Sequence, residues 1–360
     1  MSRALLARLL ALAACLLCFG VVVLGAYVRQ SNAGLGCPDW PGCYGHLTPA
    51  GAAADQHTAI APLNGRPLQI GKAWREMVHR YAAGTLGFLI VCLTAMGVVW
   101  RRERIVPTGY VAALLAIVIV QGILGMLTVT WQLKPSIVTL HLLFGLTTLS
   151  LLWWLVLTLW RRPAGLWSRP GARPGGEPSA ARALALLGLA VLAVQIFLGG
   201  WTSSNYAAIA CPDLPTCQGH WWPQADFRSA FVLWHSLGNV DYEGGLLTNP
   251  ARVAIHLTHR IGALAATLAL AAAALAAARH GTDTARLAAR LVLAALVLQL
   301  AIGVSMVLRG FPLWLATAHN AGAALLLLAT LALNRSLWPP RAALAPMARP
   351  HAPTRDAVNA

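Results

Sequence analysis

Eight long apolar blocks limit what this chain of 360 residues can fold into. Each is about 18–25 residues long, the length at which an α-helix spans the ~30 Å hydrocarbon core of a bilayer. The blocks are Leu9–Val28, Val78–Trp100, Gly109–Val129, Ile137–Trp160, Ala183–Trp201, Val253–Ala278, Leu291–Leu308 and Leu313–Leu333. Charged residues are only 11% of the chain, too few to cover a soluble fold. The sequence predicts an all-α polytopic membrane protein and excludes a soluble enzyme, a disordered chain and an outer-membrane barrel.

The distribution of basic residues predicts the orientation in the membrane. The formal net charge is +16, yet most Arg residues lie in short segments on one side of the eight spans. The positive-inside rule therefore predicts cytoplasmic N and C termini and two long cysteine-containing loops on the outer side of the membrane. The basic excess is a topology signal, and we expect no nucleic-acid partner.

The second half of the sequence repeats the first. The matched positions are Cys37 and Cys43 with Cys211 and Cys217, His79-Arg80 with His259-Arg260, Gln121 with Gln299, and His141 with His319. We predict two parallel four-helix units, residues 1–160 and 183–337. The Pro-, Gly- and Arg-rich segment 161–182 is predicted to be a cytoplasmic linker, and 338–360 a disordered cytoplasmic tail.

Four histidines lie inside the predicted spans at similar depth: His79, His141, His259 and His319. The second and fourth helices of a four-helix bundle are diagonal, so each unit is predicted to oppose two imidazoles across its core. Opposed imidazoles can bind a haem iron axially, which predicts one haem per unit. Histidines that only pack between helices are the alternative, but ionisable groups inside membranes are usually functional. Zinc or copper is disfavoured, since two ligands are too few for a closed tetrahedral site.

Each long loop carries a cysteine pair with five residues between its members, and prolines lie within both segments. We predict a disulfide within each pair, Cys37–Cys43 and Cys211–Cys217, with a redox-active pair as the alternative. Glu76 lies one helical turn before His79, and His256 takes its place in the second unit. Arg80 and Arg260 follow two of the histidines and are candidate partners of haem propionates or interfacial anchors.

The chain resembles the haem A synthase family, bacterial membrane enzymes with a mitochondrial counterpart that serves cytochrome oxidase assembly. The resemblance covers nearly the whole chain. It rests on the NAGLGCPDWPGC segment at Asn32–Cys43, the segment Glu76-Met77-Val78-His79-Arg80, and the histidines at 141, 259 and 319. It implies oxidation of the C8 methyl of haem O to a formyl group through an alcohol, with water as the oxygen source.

The resemblance also implies roles for individual residues. His79 and His141 would belong to the substrate-haem site, and His259 and His319 would hold a b-type haem. Glu76 matches the family's acidic residue beside the substrate. Cys37 and Cys43 match a cysteine pair that the family associates with a disulfide or with haem handling. The second cysteine pair and His256 depart from the simplest family pattern. Haem O synthase and the oxidase assembly machinery are the implied partners, beside membrane lipid and a possible homo-oligomer.

Two other functions are compatible with the spacing alone. A di-haem b-type electron-transfer protein would need both histidine pairs, but it gives no reason for Glu76 to occur in one unit only. A membrane thiol oxidoreductase would use the cysteine pairs and would hold no haem. Mass spectrometry of the extracted pigments separates the synthase from the electron-transfer protein, and a featureless visible spectrum would indicate the thiol oxidoreductase.

Overall fold

Eight long helices make up most of the computed structural model, which describes residues 2–55, 66–160, 179–234 and 240–338. They are α1 (Arg3–Gln30), α2 (Ile70–Val99), α3 (Thr108–Thr130), α4 (Pro135–Leu159), α5 (Ser179–Ser204), α6 (Asn249–His280), α7 (Asp283–Leu308) and α8 (Leu313–Leu337). All eight are long and apolar enough to cross a membrane, which confirms the predicted class. Most of the predicted linker and nearly all of the predicted tail lie outside the described residues.

The helices extend beyond the apolar blocks of the sequence. Helix α2 begins at Ile70 rather than at Val78, so Glu76 lies within the helix and not at its edge. Helix α7 begins at Asp283, after Thr282, whose side chain accepts a hydrogen bond from the Ala285 amide. An N-cap of this kind satisfies a backbone donor that has no partner inside the helix. The helix ends therefore follow capping and the loops, while the apolar blocks mark only the part suited to lipid.

The first four helices pack as a closed ring, in which each contacts the next and α4 returns to α1; α5–α8 form a second ring of the same kind. Helices α2 and α4 are therefore diagonal in the first ring, as α6 and α8 are in the second. The rings meet where α1 and α4 contact α8 and where α4 contacts α5. Large apolar side chains such as Phe88 and Leu268 remain exposed on the outside of the rings, as expected for helix faces that lie in lipid.

Polar contacts connect the two rings at two depths. Near the cysteine loops, the Arg29 guanidinium donates to the Ser203 carbonyl at 2.6 Å and lies 4.1 Å from the Tyr206 ring. Farther from the cysteine loops, within the helices, the Trp153 indole donates to the Leu328 carbonyl at 3.0 Å. A buried guanidinium or indole N–H without a partner costs free energy in an apolar medium, so a carbonyl of the other ring that accepts it stabilises the contact.

The loop after α5 reaches back onto the first ring. The Tyr242 amide donates to the Gln132 carbonyl at 3.0 Å, and the Tyr242 side chain is buried beside Leu133. Arg66, from the loop after α1, forms ion pairs with Asp241 and Glu243. The described parts of the two long loops therefore contact each other over the cysteine-loop end of the helices.

Candidate functional site

The structure brings the four predicted histidines together as two pairs. The ring centroids of His79 on α2 and His141 on α4 are 6.5 Å apart, with an interplanar angle of 77°. His259 on α6 and His319 on α8 have the same separation and the same angle. The diagonal placement of the helices produces both pairs, as the sequence predicts.

The spacing within each pair fits one metal ion between two imidazoles. A nitrogen–metal bond of roughly 2.0–2.1 Å and a ring radius of about 1.1 Å on each side place opposed ring centres ~6.3 Å apart. Across the described residues, no group of three or more His, Cys, Asp or Glu is placed to hold a metal ion. Two imidazoles alone suit a metal that brings its remaining ligands with it, as the iron of a porphyrin does.

The histidines also have unused hydrogen-bonding capacity. The Nδ1 atoms of His79, His141 and His319 are buried without a hydrogen-bond partner. A buried polar atom without a partner is costly and calls for an explanation, most often in a functional site. The donor set and the unpaired nitrogens therefore fit a haem in either ring of helices.

A glycine on the preceding helix lies against each histidine. A Cβ added at any of these glycines would lie 2.9–3.2 Å from the Cε1 atom of the facing histidine. The four pairs are Gly25 with His79, Gly125 with His141, Gly199 with His259, and Gly303 with His319. These glycines let the imidazole approach the neighbouring backbone. Sequence reasoning missed them, although Gly25 with Gly199 and Gly125 with Gly303 follow the same repeat offsets as the cysteines and histidines.

Both cysteine pairs are disulfide-bonded in the structure, Cys37 to Cys43 and Cys211 to Cys217. Each closes a short loop beside the first part of α2 or α6. In both loops an aspartate accepts hydrogen bonds from two backbone amides: Asp39 from Tyr44 and Gly45, and Asp213 from Gln218 and Gly219. These two aspartates were not singled out from the sequence, although they occupy matched positions in the repeat.

Arg80 and Arg260 bind the disulfide loops. Arg80 Nη1 donates to the carbonyls of Asp39, Pro41 and Gly42, at 2.9, 3.3 and 2.6 Å. Arg260 likewise donates to the carbonyls of three residues: Cys211, Asp213 and Thr216. Each arginine therefore fixes a loop directly above the histidine that precedes it in sequence. Contact with a propionate stays a prediction.

Glu76 belongs to the same contact network. It is buried, at 4% exposure; its Oε2 accepts the Cys37 amide at 2.9 Å, and its Oε1 pairs with Arg80 at 2.5 Å. It is the only buried carboxylate in the part of the chain that the structure describes. His256, at the matched place in the second ring, is also buried, and its ring makes an edge contact with Phe311 at 6.3 Å. The asymmetry expected from the sequence is thus present in the folded chain.

Fold and site together define a multi-pass membrane protein with two pairs of facing histidines beneath disulfide-closed loops. The chain belongs to the COX15-CtaA family of cytochrome oxidase assembly proteins, whose model matches residues 8–331. It is similar to a protein named Heme A synthase from Shewanella oneidensis, 41% identical over 320 residues, 88% of this chain and 92% of that protein. Proteins of the same name from Rhizorhabdus wittichii and Sphingopyxis alaskensis are 30% and 29% identical over 346 and 343 residues, 90% of this chain in both cases and 92% and 90% of those proteins.

Proposed function

We propose that this protein is a haem A synthase, which oxidises the C8 methyl of haem O to a formyl group through a hydroxylated intermediate. The observation that carries the proposal is the presence of two equivalent histidine pairs, of which, among the described residues, only the first lies beside a buried carboxylate. Two haem sites of unequal chemistry suit an enzyme with one substrate haem and one cofactor haem. The family's role in cytochrome oxidase assembly supports haem A as the product.

The first ring would bind the substrate and the second the cofactor. His79 and His141, in unit 1–160, lie close in the chain to Glu76 and would ligate haem O. His259 and His319, in unit 183–337, would ligate a b-type haem. A b-type haem held there supplies one-electron redox chemistry.

Glu76 would accept or relay a proton as the methyl group is oxidised. Oxidation of a methyl group with water as the oxygen source releases protons as well as electrons. Burial of the carboxyl group favours its neutral form. The Arg80 guanidinium and the Cys37 amide favour its ionised form, so the group is held between two opposing effects. A buried carboxylate held in this way is a suitable general base.

The cellular setting follows from the same assignment. Both termini would lie in the cytoplasm, and the disulfide loops would face the periplasm of a bacterial inner membrane, where disulfides persist. Haem O synthase would supply the substrate, and the oxidase assembly machinery would receive the product. Direct contact between two membrane proteins allows an apolar haem to pass from one to the other without entering water. Haem O synthase and the oxidase assembly machinery are therefore the expected partners.

The test is the identity of the pigments in the purified protein. Full-length protein, made in cells that contain haem O synthase, is extracted with acidified solvent, and its haems are separated and weighed by mass spectrometry. We expect haem B together with haem O, its hydroxylated form or haem A. Haem B alone would support an electron-transfer protein instead, and a protein with no haem would support a thiol oxidoreductase.

A further inference from the structure

Glutamine side chains on three helices bind the backbone of a histidine on the next helix. The Nε2 atoms donate to histidine carbonyls in three pairs: Gln121 to His141 at 2.9 Å, Gln195 to His259 at 3.1 Å, and Gln299 to His319 at 3.1 Å. A histidine carbonyl within a helix already accepts an intrahelical bond, so the glutamine adds a second one. This hydrogen bond fixes the axial position of one helix relative to its neighbour at the depth of the imidazole.

In the second ring the same glutamines also reach the imidazoles. Gln195 Nε2 is 3.1 Å from His259 Nδ1, and Gln299 Nε2 is 3.3 Å from His319 Nε2. The Oε1 atoms of both glutamines are buried without a partner. A carboxamide offers donors and an acceptor on one planar group, so it can serve an imidazole nitrogen with or without a proton.

Glycines on the histidine helices make room for the glutamines. A Cβ added at Gly262 would overlap Gln195 Oε1, one at Gly322 would overlap Gln299 Oε1, and one at Gly145 would lie 3.1 Å from Gln121 Nε2. Each of these glycines lies three or four residues after the histidine of its helix. The contact is therefore reciprocal: one glycine receives the imidazole and another receives the glutamine.

Helix α1 lacks this glutamine. Every glutamine of the set lies four residues before the glycine that faces a histidine, and on α1 the residue four before Gly25 is Val21. The aliphatic Val21 side chain cannot hydrogen-bond to His79, and only the Val21 backbone carbonyl accepts a bond from the imidazole. On α2, the residues three and four after His79 are Ala82 and Ala83 rather than glycine. His79 therefore has glycine contact from α1 but no carboxamide from it.

We propose that Gln195 and Gln299 are positioning residues that orient the imidazoles of the cofactor haem, and that the lack of a carboxamide at Val21 leaves the His79 imidazole less constrained than those of His259 and His319. This inference rests on the function proposed above and deepens it. A metal-bound histidine needs a partner for its second nitrogen, which fixes the ring and raises its basicity. A permanent cofactor is served by two oriented ligands, whereas a substrate haem that enters and leaves is served by one ligand that turns easily.

The first test removes the glutamines from the second ring. Gln195→Met and Gln299→Met keep the length of the side chain and delete its hydrogen bonds. We expect a roughly 10–100-fold loss of affinity for haem B, a rise in the midpoint potential of that haem, and a shifted low-spin electron paramagnetic resonance signal. Gln299→Glu keeps an acceptor and adds charge, so it should lower the potential. Gln132→Met, at the α3–α4 turn, is the matched control and should leave all three readouts at the wild-type values.

The second test builds the missing glutamine into the first ring. Val21→Gln combined with Ala82→Gly, which supplies the glycine that the other glutamines contact, should slow the transfer of haem O from the protein to excess apomyoglobin by about 10–100-fold, the range expected for a gained outer-shell partner, with no change in the spectrum of haem B. Ala82→Gly alone is its control. An unchanged or faster transfer would overturn the assignment of His79 as the loosely held ligand.

The outcomes separate the two proposals. A wild-type protein that holds no haem would overturn the proposed function. The positioning role alone would be overturned by a different result. In that case the wild-type protein has normal haem content, and Gln195→Met and Gln299→Met match Gln132→Met in haem B affinity, midpoint potential and electron paramagnetic resonance signal.

Discussion

Each of the four histidines is faced by a glycine at which an added methyl group would press on the imidazole. An added Cβ would lie 3.0 Å from His319 Cε1 at Gly303 and 3.2 Å from His259 Cε1 at Gly199. We expect Gly303→Ala and Gly199→Ala to displace the imidazole and to lower the content of b-type haem per protein, measured from the reduced pyridine haem spectrum. The cause is steric and independent of helix propensity, because alanine is otherwise the better helix residue.

A glycine elsewhere in the bundle provides the control for this prediction. Gly122 on α3 has no atom within 4 Å of an added Cβ. Gly122→Ala should keep full haem content and stabilise the protein by about 0.5–1 kcal/mol through the restricted unfolded chain. Equal haem loss in all three variants would mean that the glycines matter for helix packing in general and not for the histidines.

Glu76 is the residue for which a catalytic and a structural role make different predictions. Glu76→Gln keeps an oxygen that can accept the Cys37 amide and removes the negative charge beside Arg80. We expect the variant to bind haem O and to stall before the aldehyde, with a rate lowered by about 10²–10⁴-fold as for a lost general base. The pigment composition, followed by mass spectrometry over time, measures this.

Glu103→Gln makes the same chemical change at an exposed ion pair with Arg3 and should leave turnover unchanged. An intact Cys37–Cys43 disulfide and normal haem B content would show that Glu76→Gln is folded. If such a folded variant forms haem A at the wild-type rate, Glu76 serves only to hold the loop.

Among the elements, the disulfide loop of the second ring has a built-in dependence on pH. The Thr216 hydroxyl and the Gln218 and Gly219 amides donate to the Asp213 carboxylate and lower its pKa from 3.8 to about 2. The ionised form is the one that holds the loop. Its stabilisation is therefore fully present above the ordinary pKa and is lost as the pH falls through the lowered one.

Hydrogen exchange measures this directly. The protection of the Gln218 and Gly219 amides, normalised to intrinsic exchange rates, should be constant above pH ~4 and fall as the pH approaches ~2. In Asp213→Asn the same amides should be weakly protected at every pH. A native protein whose protection does not change down to pH ~2 would contradict the assignment.

The sequence predicts the elements of this fold better than their ends. Hydropathy located all eight helices because about 20 apolar residues are needed to span a bilayer. It missed the first eight residues of α2 and of α7, since polar residues such as Lys72 and Arg286 do not interrupt a helix although they lower its hydropathy. Histidine spacing predicted the two pairs. The hydrogen bonds from Arg80 to the loop carbonyls were not predictable. They depend on the path of the loop backbone, about which hydropathy gives no information.

For the molecule as a whole, the two rings should lose function separately. His259→Ala and His319→Ala should abolish the b-type haem, whereas His79→Ala and His141→Ala should abolish turnover and leave that haem bound. The physical reason is that each pair lies within one closed ring of helices and shares no ligand with the other. Haem content and haem A formation, measured for all four variants, check this, and equal haem loss from all four would show that the rings do not hold haem independently.

The reciprocal glycine contacts also amount to a transferable rule for protein design. A helix that carries Gln-x-x-x-Gly, set beside one that carries His followed three or four residues later by Gly, fixes both the height and the close approach of the two. The rule needs no loop, no charge and no long apolar side chain at the contact, and so it can be written into any pair of adjacent membrane helices. Two such pairs placed diagonally in a new four-helix bundle should hold opposed imidazoles ~6.3 Å apart, a spacing set by the metal–nitrogen bond.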